Sequence, residues 1–252
     1  QFSGLIIRNV YGPCGKPYYN SVVATFCHQL THNETPRIET DGEMKLIYVG
    51  ELVQNILEII VEVESTQKGK VVIQRIQLRH TAELKVSLLL KTLESFKTLY
   101  FDHGEIPALD TPFQRNLFNT FVCYIDHASF FPFSLKLNTD NRGSFVETVK
   151  LNSGGQVSFS TTVPGITRGN HFHTRKAERF AVIKGKARIE LRRIGTDKVI
   201  SFELSGSQPS FVDMPIWYTH NITNIGEDDL YTIFWINEHF NSGDPDTYFE
   251  KV

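Results

Sequence analysis

The sequence is short of cysteine, methionine and tryptophan, with three, two and two among 252 residues. Cys14, Cys27 and Cys123 form no Cys-x-x-Cys pair, and an odd number cannot close a disulfide framework. A reducing cytosol is therefore the expected setting. No apolar run approaches the roughly 18 residues of a membrane span. The opening QFSGLIIRNV lacks both a charged n-region and a signal-type apolar core, and the chain reads as though it begins inside a longer one. A net charge of −2 excludes a protein that works by blanketing nucleic acid.

What is there is ordinary globular composition, 40% hydrophobic and 21% charged, with charge distributed unevenly. Ten Lys and Arg stand against three acids between Arg168 and Lys198, whereas Val199–Glu250 holds nine acids and no Lys or Arg. Two explanations stay open: opposed faces of one sheet, or a basic surface for an anionic substrate such as a nucleotide diphosphate.

The first hundred residues alternate strand and helix. GLIIRNV (4–10) and MKLIYV (44–49) read as strands, as does KVVIQRIQL (70–78). SVVATFCHQL reads as a helix capped by Asn20, GELVQNILEIIVEVE (50–64) as an amphipathic helix, and 81–99 as a helix capped at Thr81. This rhythm predicts a parallel sheet. Residues 101–135, aromatic and irregular with three prolines, read as the connection. Short β-rich runs separated by turns follow and predict a small barrel or jelly roll. The expected organisation is an α/β part over 1–112 and an all-β part over 113–252.

GNHFHTRKAERFAVIKG (169–185) carries the chemistry. In a strand, His171 and His173 face one side. A hairpin would return Glu178 to the same point, and His220 offers a distant fourth ligand. Three imidazoles and a carboxylate suit Zn, Fe, Mn or Ni alike. Strand histidines that bind only a carbonyl or water are the competing account.

Gly165, His171-x-His173, Glu178 and Gly185 resemble the first cupin motif at every fixed position, and Pro215, His220 and Asn224 resemble the second. Trp217 stands where that family usually has Gly. TDNRGSFVE (139–147) resembles the Asp-x-Arg-Gly-x-Phe-x-Glu strand of cupin-type nucleotide-sugar epimerases, with a plain hairpin turn as the alternative. RNVYGP (8–13) and YVGELV (48–53) resemble segments of extended short-chain reductases. Together they are similar to the bifunctional capsular-polysaccharide enzymes that process a UDP-2-acetamido-2,6-dideoxy-4-hexulose toward UDP-N-acetyl-L-fucosamine.

That resemblance implies an α+β chain: the C-terminal half of a Rossmann-like α/β reductase domain, then an all-β cupin (double-stranded β-helix). It implies a zinc-binding cupin that epimerises C3 of a UDP-linked 4-keto-6-deoxy amino sugar, in a cytoplasmic homodimer. The family's reductase half uses NADPH. No GxxGxxG and no Tyr-x-x-x-Lys occurs here, so NADPH binding and reduction are not expected of this chain. The expected metal ligands are His171, His173, Glu178 and His220. Tyr218, Arg175 and Lys176 are the catalytic candidates. Arg142, Glu147, Lys16, Asn20 and Ser21 are the substrate-binding ones. The barrel as a non-catalytic, metal-stabilised dimerisation module is the alternative, followed by an oxygenase or sugar isomerase on the same fold.

Overall fold

The computed structural model describes residues 2–66, 73–141 and 143–252. Two compact units result, residues 1–98 with 111–124, and 99–110 with 125–252. The chain thus passes between units three times rather than once at 112, and each unit is built from non-contiguous sequence.

The first unit holds β1 (Phe2–Ile6), β2 (Asn9–Tyr11), α1 (Val22–Thr31), β3 (Glu43–Tyr48), α2 (Val49–Thr66), β4 (Ile73–Gln77), β5 (Ala82–Lys85), α3 (Val86–Phe96) and α4 (Pro112–Val122). One fully parallel sheet is not what the described strands form. They make a β1-β4 parallel pair and a mixed β2-β3-β5 sheet whose β3 and β5 run antiparallel. The proposed strand residues Lys70–Val72 lie outside the described residues. Ser21 rather than Asn20 caps α1, its hydroxyl accepting from Ala24 N at 3.2 Å. Asn20 sits just outside with φ +51°, a conformation Asn tolerates. Thr81 caps nothing: residues 82–85 alternate in burial and pair with β3, where Glu83 lies 3.4 Å from Lys45.

Helix α3 buries Leu89, Leu93 and Phe96, spaced four and three apart on one face. Phe96 meets Phe118 of α4 edge-on at 5.4 Å. Truncating Leu93 to Ala there removes about 2–5 kcal/mol. Helix α4 occupies part of the stretch read as irregular. Pro112 opens it, and Thr111 and Gln114 form a reciprocal capping box.

The second unit begins with a π-helical turn, its residues 99–102 continuing Lys97–Asp102, and then α5 (His127–Phe130). Its strands are β6 (Phe133–Ser134), β7 (Leu137–Asp140), β8 (Gly143–Val146), β9 (Gln156–Thr162), β10 (Thr167–Phe172), β11 (Glu178–Lys184), β12 (Lys186–Arg193), β13 (Val199–Ser205), β14 (Ser210–Met214), β15 (Tyr218–Asn224), β16 (Leu230–Ile236) and β17 (Tyr248–Phe249). Two five-stranded antiparallel sheets form, ordered β13-β12-β15-β10-β17 and β6-β14-β11-β16-β9. Their facing sides share one core: Ile189, Leu191, Phe202 and Ile222 from the first, Val182, Phe211, Met214 and Leu230 from the second. This is the jelly-roll barrel expected of the C-terminal part.

The charge asymmetry resolves into pairs across and around these sheets. Arg188 lies 3.7 Å from Glu203, Arg192 2.7 Å from Glu250, and Arg175 2.7 Å from Asp244. Arg179 is buried and forks onto Asp213 with two bonds of 2.8 Å, and Tyr100 donates to the same carboxylate.

Candidate metal centre

The strand pair β10–β15 sets His171 directly opposite His220 in register. A β-bulge after Gly169 makes this possible. Asn170 takes φ +60°, and a side chain at Gly169 would meet the His220 carbonyl at 2.8 Å. His173 follows just beyond the end of β10, its ring 5.0 Å from that of His171.

Glu178 does not return by a hairpin. Strand β10 pairs with β15 and β17, and β11 pairs with β14 and β16. The loop 173–177 therefore crosses from one sheet to the other, and the carboxylate enters from the opposite wall of the barrel. Two packed sheets share the space between their facing sides, so one can supply histidines there and the other the carboxylate.

One ligand atom from each of His171, His173, Glu178 and His220 lies within 4.8 Å of the others. Glu178 Oε2 stands 3.1 Å from His220 Nε2 and 3.4 Å from His173 Nε2. His173, Glu178 and His220 are buried, and His171 is half-buried, so the cluster opens on its side. The outer nitrogens are tied to main chain: His173 Nδ1 donates to the Asp246 carbonyl and His220 Nδ1 to the Tyr218 carbonyl at 3.2 Å. A carbonyl only accepts, so Nδ1 carries the proton and Nε2 presents its lone pair to the centre. His173 Nε2 is buried yet has no hydrogen bond there. A divalent ion would satisfy it, and the donor set fits one.

Burial and neighbouring groups shift three members of the cluster. Burial opposes the Glu178 carboxylate, but His173 and His220 overcome it and hold its pKa well below the usual range. Burial, then His220, pushes His171 down to about 4, so its imidazole is neutral and ready to ligate near pH 7. Burial likewise opposes charge on His173, but contacts to Glu178 and the Asp246 carbonyl prevail and raise its pKa.

The remaining expected residues are placed as follows. Trp217 adopts φ +62°, the left-handed backbone that explains Gly elsewhere, stacks on Phe172 at 5.8 Å and donates its N–H to the His173 carbonyl. Tyr218 packs beside the barrel core with its ring 5.0 Å from buried His127. Arg175 binds Glu238 and Asp244, and buried Lys176 donates to the Pro245 carbonyl at 2.7 Å. Glu147 lies 3.2 Å from Lys150 on a cleft of about 240 Å³ that Lys136 and His103 also line. Within 139–147, β7 and β8 pair antiparallel with Asp140 opposite Gly143, and Glu147 follows the end of β8; Arg142 itself lies outside the described residues. In the first unit, Ser21 is engaged as the α1 cap, Asn20 is exposed, and Lys16 stands 5.7 Å over the Tyr19 ring. Asp246 carried no signal in the sequence, because its partners lie about 70 residues away.

A jelly-roll barrel thus brings three histidines and one glutamate together from both sheets, a donor set that could hold a metal ion. Residues 138–248 match the family described as polysaccharide biosynthesis C-terminal domain. Over 243 residues the chain is 33% identical to UDP-2-acetamido-2,6-beta-L-arabino-hexul-4-ose reductase of Pseudomonas aeruginosa, covering 96% of this chain and 63% of that protein. It is 36% identical to the capsular polysaccharide assembling protein CapF of Staphylococcus aureus, with a TM-score of 0.51, covering 98% of this chain and 66% of that one. A structure of CapF with the inhibitor 3-isopropenyl-tropolone is also 36% identical, with a TM-score of 0.50, and here 71% of that chain is covered. The chain belongs to this CapF family of capsular polysaccharide assembling proteins. It spans just under two thirds of the Pseudomonas protein and of the first CapF chain.

Proposed function

We propose that this chain carries a metal-dependent epimerase site acting on a sugar nucleotide in capsular polysaccharide synthesis. In its fuller form the reading is C3 epimerisation of a UDP-2-acetamido-2,6-dideoxy-4-hexulose. The observation that carries it is the four-ligand cluster, buried on three members and open at His171. The hexulose named for the Pseudomonas relative supports the substrate class. So does the tropolone bound to CapF, whose adjacent ring oxygens are suited to chelating a metal.

His171, His173, Glu178 and His220 would hold the ion, with zinc the first candidate. When bound, such an ion supplies Lewis-acid polarisation of a carbonyl oxygen. Epimerisation beside a ketone also needs a proton removed at C3 and another returned to the opposite face. Tyr218, the first residue of β15, the strand that carries His220, is proposed for one of these transfers. Arg142 and Glu147 are proposed to meet the nucleotide, with Glu147 at the cleft beside Lys136 and Lys150. Lys16, Asn20 and Ser21 are proposed as a remnant sugar-nucleotide contact in the first unit. NADPH-dependent reduction is proposed to lie outside this chain. A homodimer is part of the reading, supported by Val157 and Phe159, which lie exposed on the edge strand β9. A cytoplasmic setting is also part of it; among the described residues no helix is long and apolar enough to cross a membrane.

The test is proton NMR of the chain with the UDP-4-keto-6-deoxy sugar in D₂O, before and after chelation. Deuterium appearing at C3, lost on chelation and restored by Zn²⁺, is the expected result. Tyr218→Phe should slow the exchange by roughly 10²–10⁴-fold. No exchange with a full complement of metal would leave the site as a structural one in a dimerisation barrel.

A further inference from the structure

His173 stands beyond the end of its strand, where its carbonyl accepts from Trp217 N at 2.8 Å but that bond leaves the ring free to turn. Something else must hold it, and the last nine residues of the chain do. Strand β17 pairs with β10 alongside His171 and Phe172, and just ahead of it the chain turns at Asp246. The Asp246 carboxylate is buried and accepts from three consecutive amides, Thr174 N at 3.1 Å, Arg175 N at 3.0 Å and Lys176 N at 3.0 Å, and from the Thr174 hydroxyl at 2.6 Å. Consecutive amides converging on one carboxylate form a nest, which fixes the loop's backbone. The Asp246 carbonyl meanwhile receives His173 Nδ1. Asp246 does this from φ +43°, an uncommon conformation for a non-glycine residue. Such an outlier persists only where surrounding contacts over-determine it.

We propose that Asp246 is a positioning residue for the metal centre: its carboxylate locks the β10–β11 loop while its carbonyl fixes His173 with Nε2 toward the cluster. This rests on the metal-centre reading above. Arg175 and Lys176 belong to the same device. Arg175 forks onto Asp244 and Glu238, and Lys176 holds the Pro245 carbonyl, so both pin the tail on which Asp246 sits. Asn237 braces the loop from the other side, accepting from Ala177 N at 3.1 Å.

Asp246→Asn is the informative substitution, because Asn tolerates the left-handed backbone and only the carboxylate is lost. Glu203→Gln, which alters an exposed acid paired with Arg188 away from that loop and tail, is the control. Zn²⁺ affinity is measured on the full chain against a chromophoric chelator, and the ¹⁵N-histidine spectrum of the metal-free chain reports the His173 tautomer. Zn²⁺ binding should weaken roughly 10- to 100-fold in Asp246→Asn, as for other groups that orient a ligating histidine. The Nδ1–H form of His173 should give way to a tautomer mixture, with Glu203→Gln unchanged in both respects. Should Asp246→Asn fail to fold, Thr174→Val, which removes only the hydroxyl contact, should show the same changes in smaller degree. Unchanged affinity and tautomer in a folded Asp246→Asn, or an equal loss in Glu203→Gln, would overturn the proposal. If the unsubstituted chain binds no Zn²⁺, the metal-centre reading fails and the tautomer comparison alone decides the role of Asp246.

Discussion

Glu178 is the residue on which the centre turns. It is the one carboxylate in contact with two of the three histidines, and burial would neutralise it without them. Replacing it by Gln keeps the shape and removes the charge that offsets a dication. Glu178→Gln is therefore expected to lose Zn²⁺ binding by at least an order of magnitude while the barrel remains folded. Equilibrium dialysis with metal analysis, alongside circular dichroism, checks both halves. Retained affinity would mean that three imidazoles suffice.

Single elements show how far apart cooperating residues lie. Helix α3 begins after Lys85, which makes no side-chain cap, and borrows one from a loop: Asp41 accepts from Ser87 N at 2.8 Å and from its hydroxyl at 2.9 Å. The Ser87 backbone bond, then its side chain, holds the Asp41 pKa below the ordinary 3.8. A carboxylate depressed in the folded state stabilises fully above its unfolded pKa, and the contribution vanishes as pH falls through the folded value. Asp41→Ala should thus melt below the unsubstituted chain at pH 6, with the gap closing as pH drops below about 3.8. A gap that stayed constant down to pH 2 would place the effect in packing instead.

At the scale of the whole molecule, the barrel's two sheets meet in the metal cluster as well as in the apolar core, so an ion bound there ties them together. Ligand that binds only the folded state at 100 times its Kd adds about 2.7 kcal/mol. Zn²⁺ should therefore raise the melting temperature of the second unit, and chelation should lower it, with a much smaller response in the first. Calorimetry resolving two transitions makes the comparison. Equal shifts in both would imply that the ion acts elsewhere.

The sequence by itself determined which four residues converge in the cluster, because donor chemistry restricts residue type and the fixed spacing between His171 and Gly185 restricts position. It determined the change from strand–helix alternation to short strands for the same local reason: periodicity is written in neighbours. Hydrophobic rhythm did not reveal helix α4, since the aromatic residues of 101–135 mask it, although Thr111, Pro112 and Gln114 signalled its start. Nor could alternation show the bulge at Gly169–His171, or that Glu178 arrives from the opposite sheet. Only the tertiary structure decided that Arg175 and Lys176 bond to Asp244 and Pro245, and that the Asp246 carbonyl meets His173 Nδ1. Those contacts span about 70 residues, and nothing in a local pattern records which distant carboxylate a loop of free amides will meet once two sheets have closed on each other.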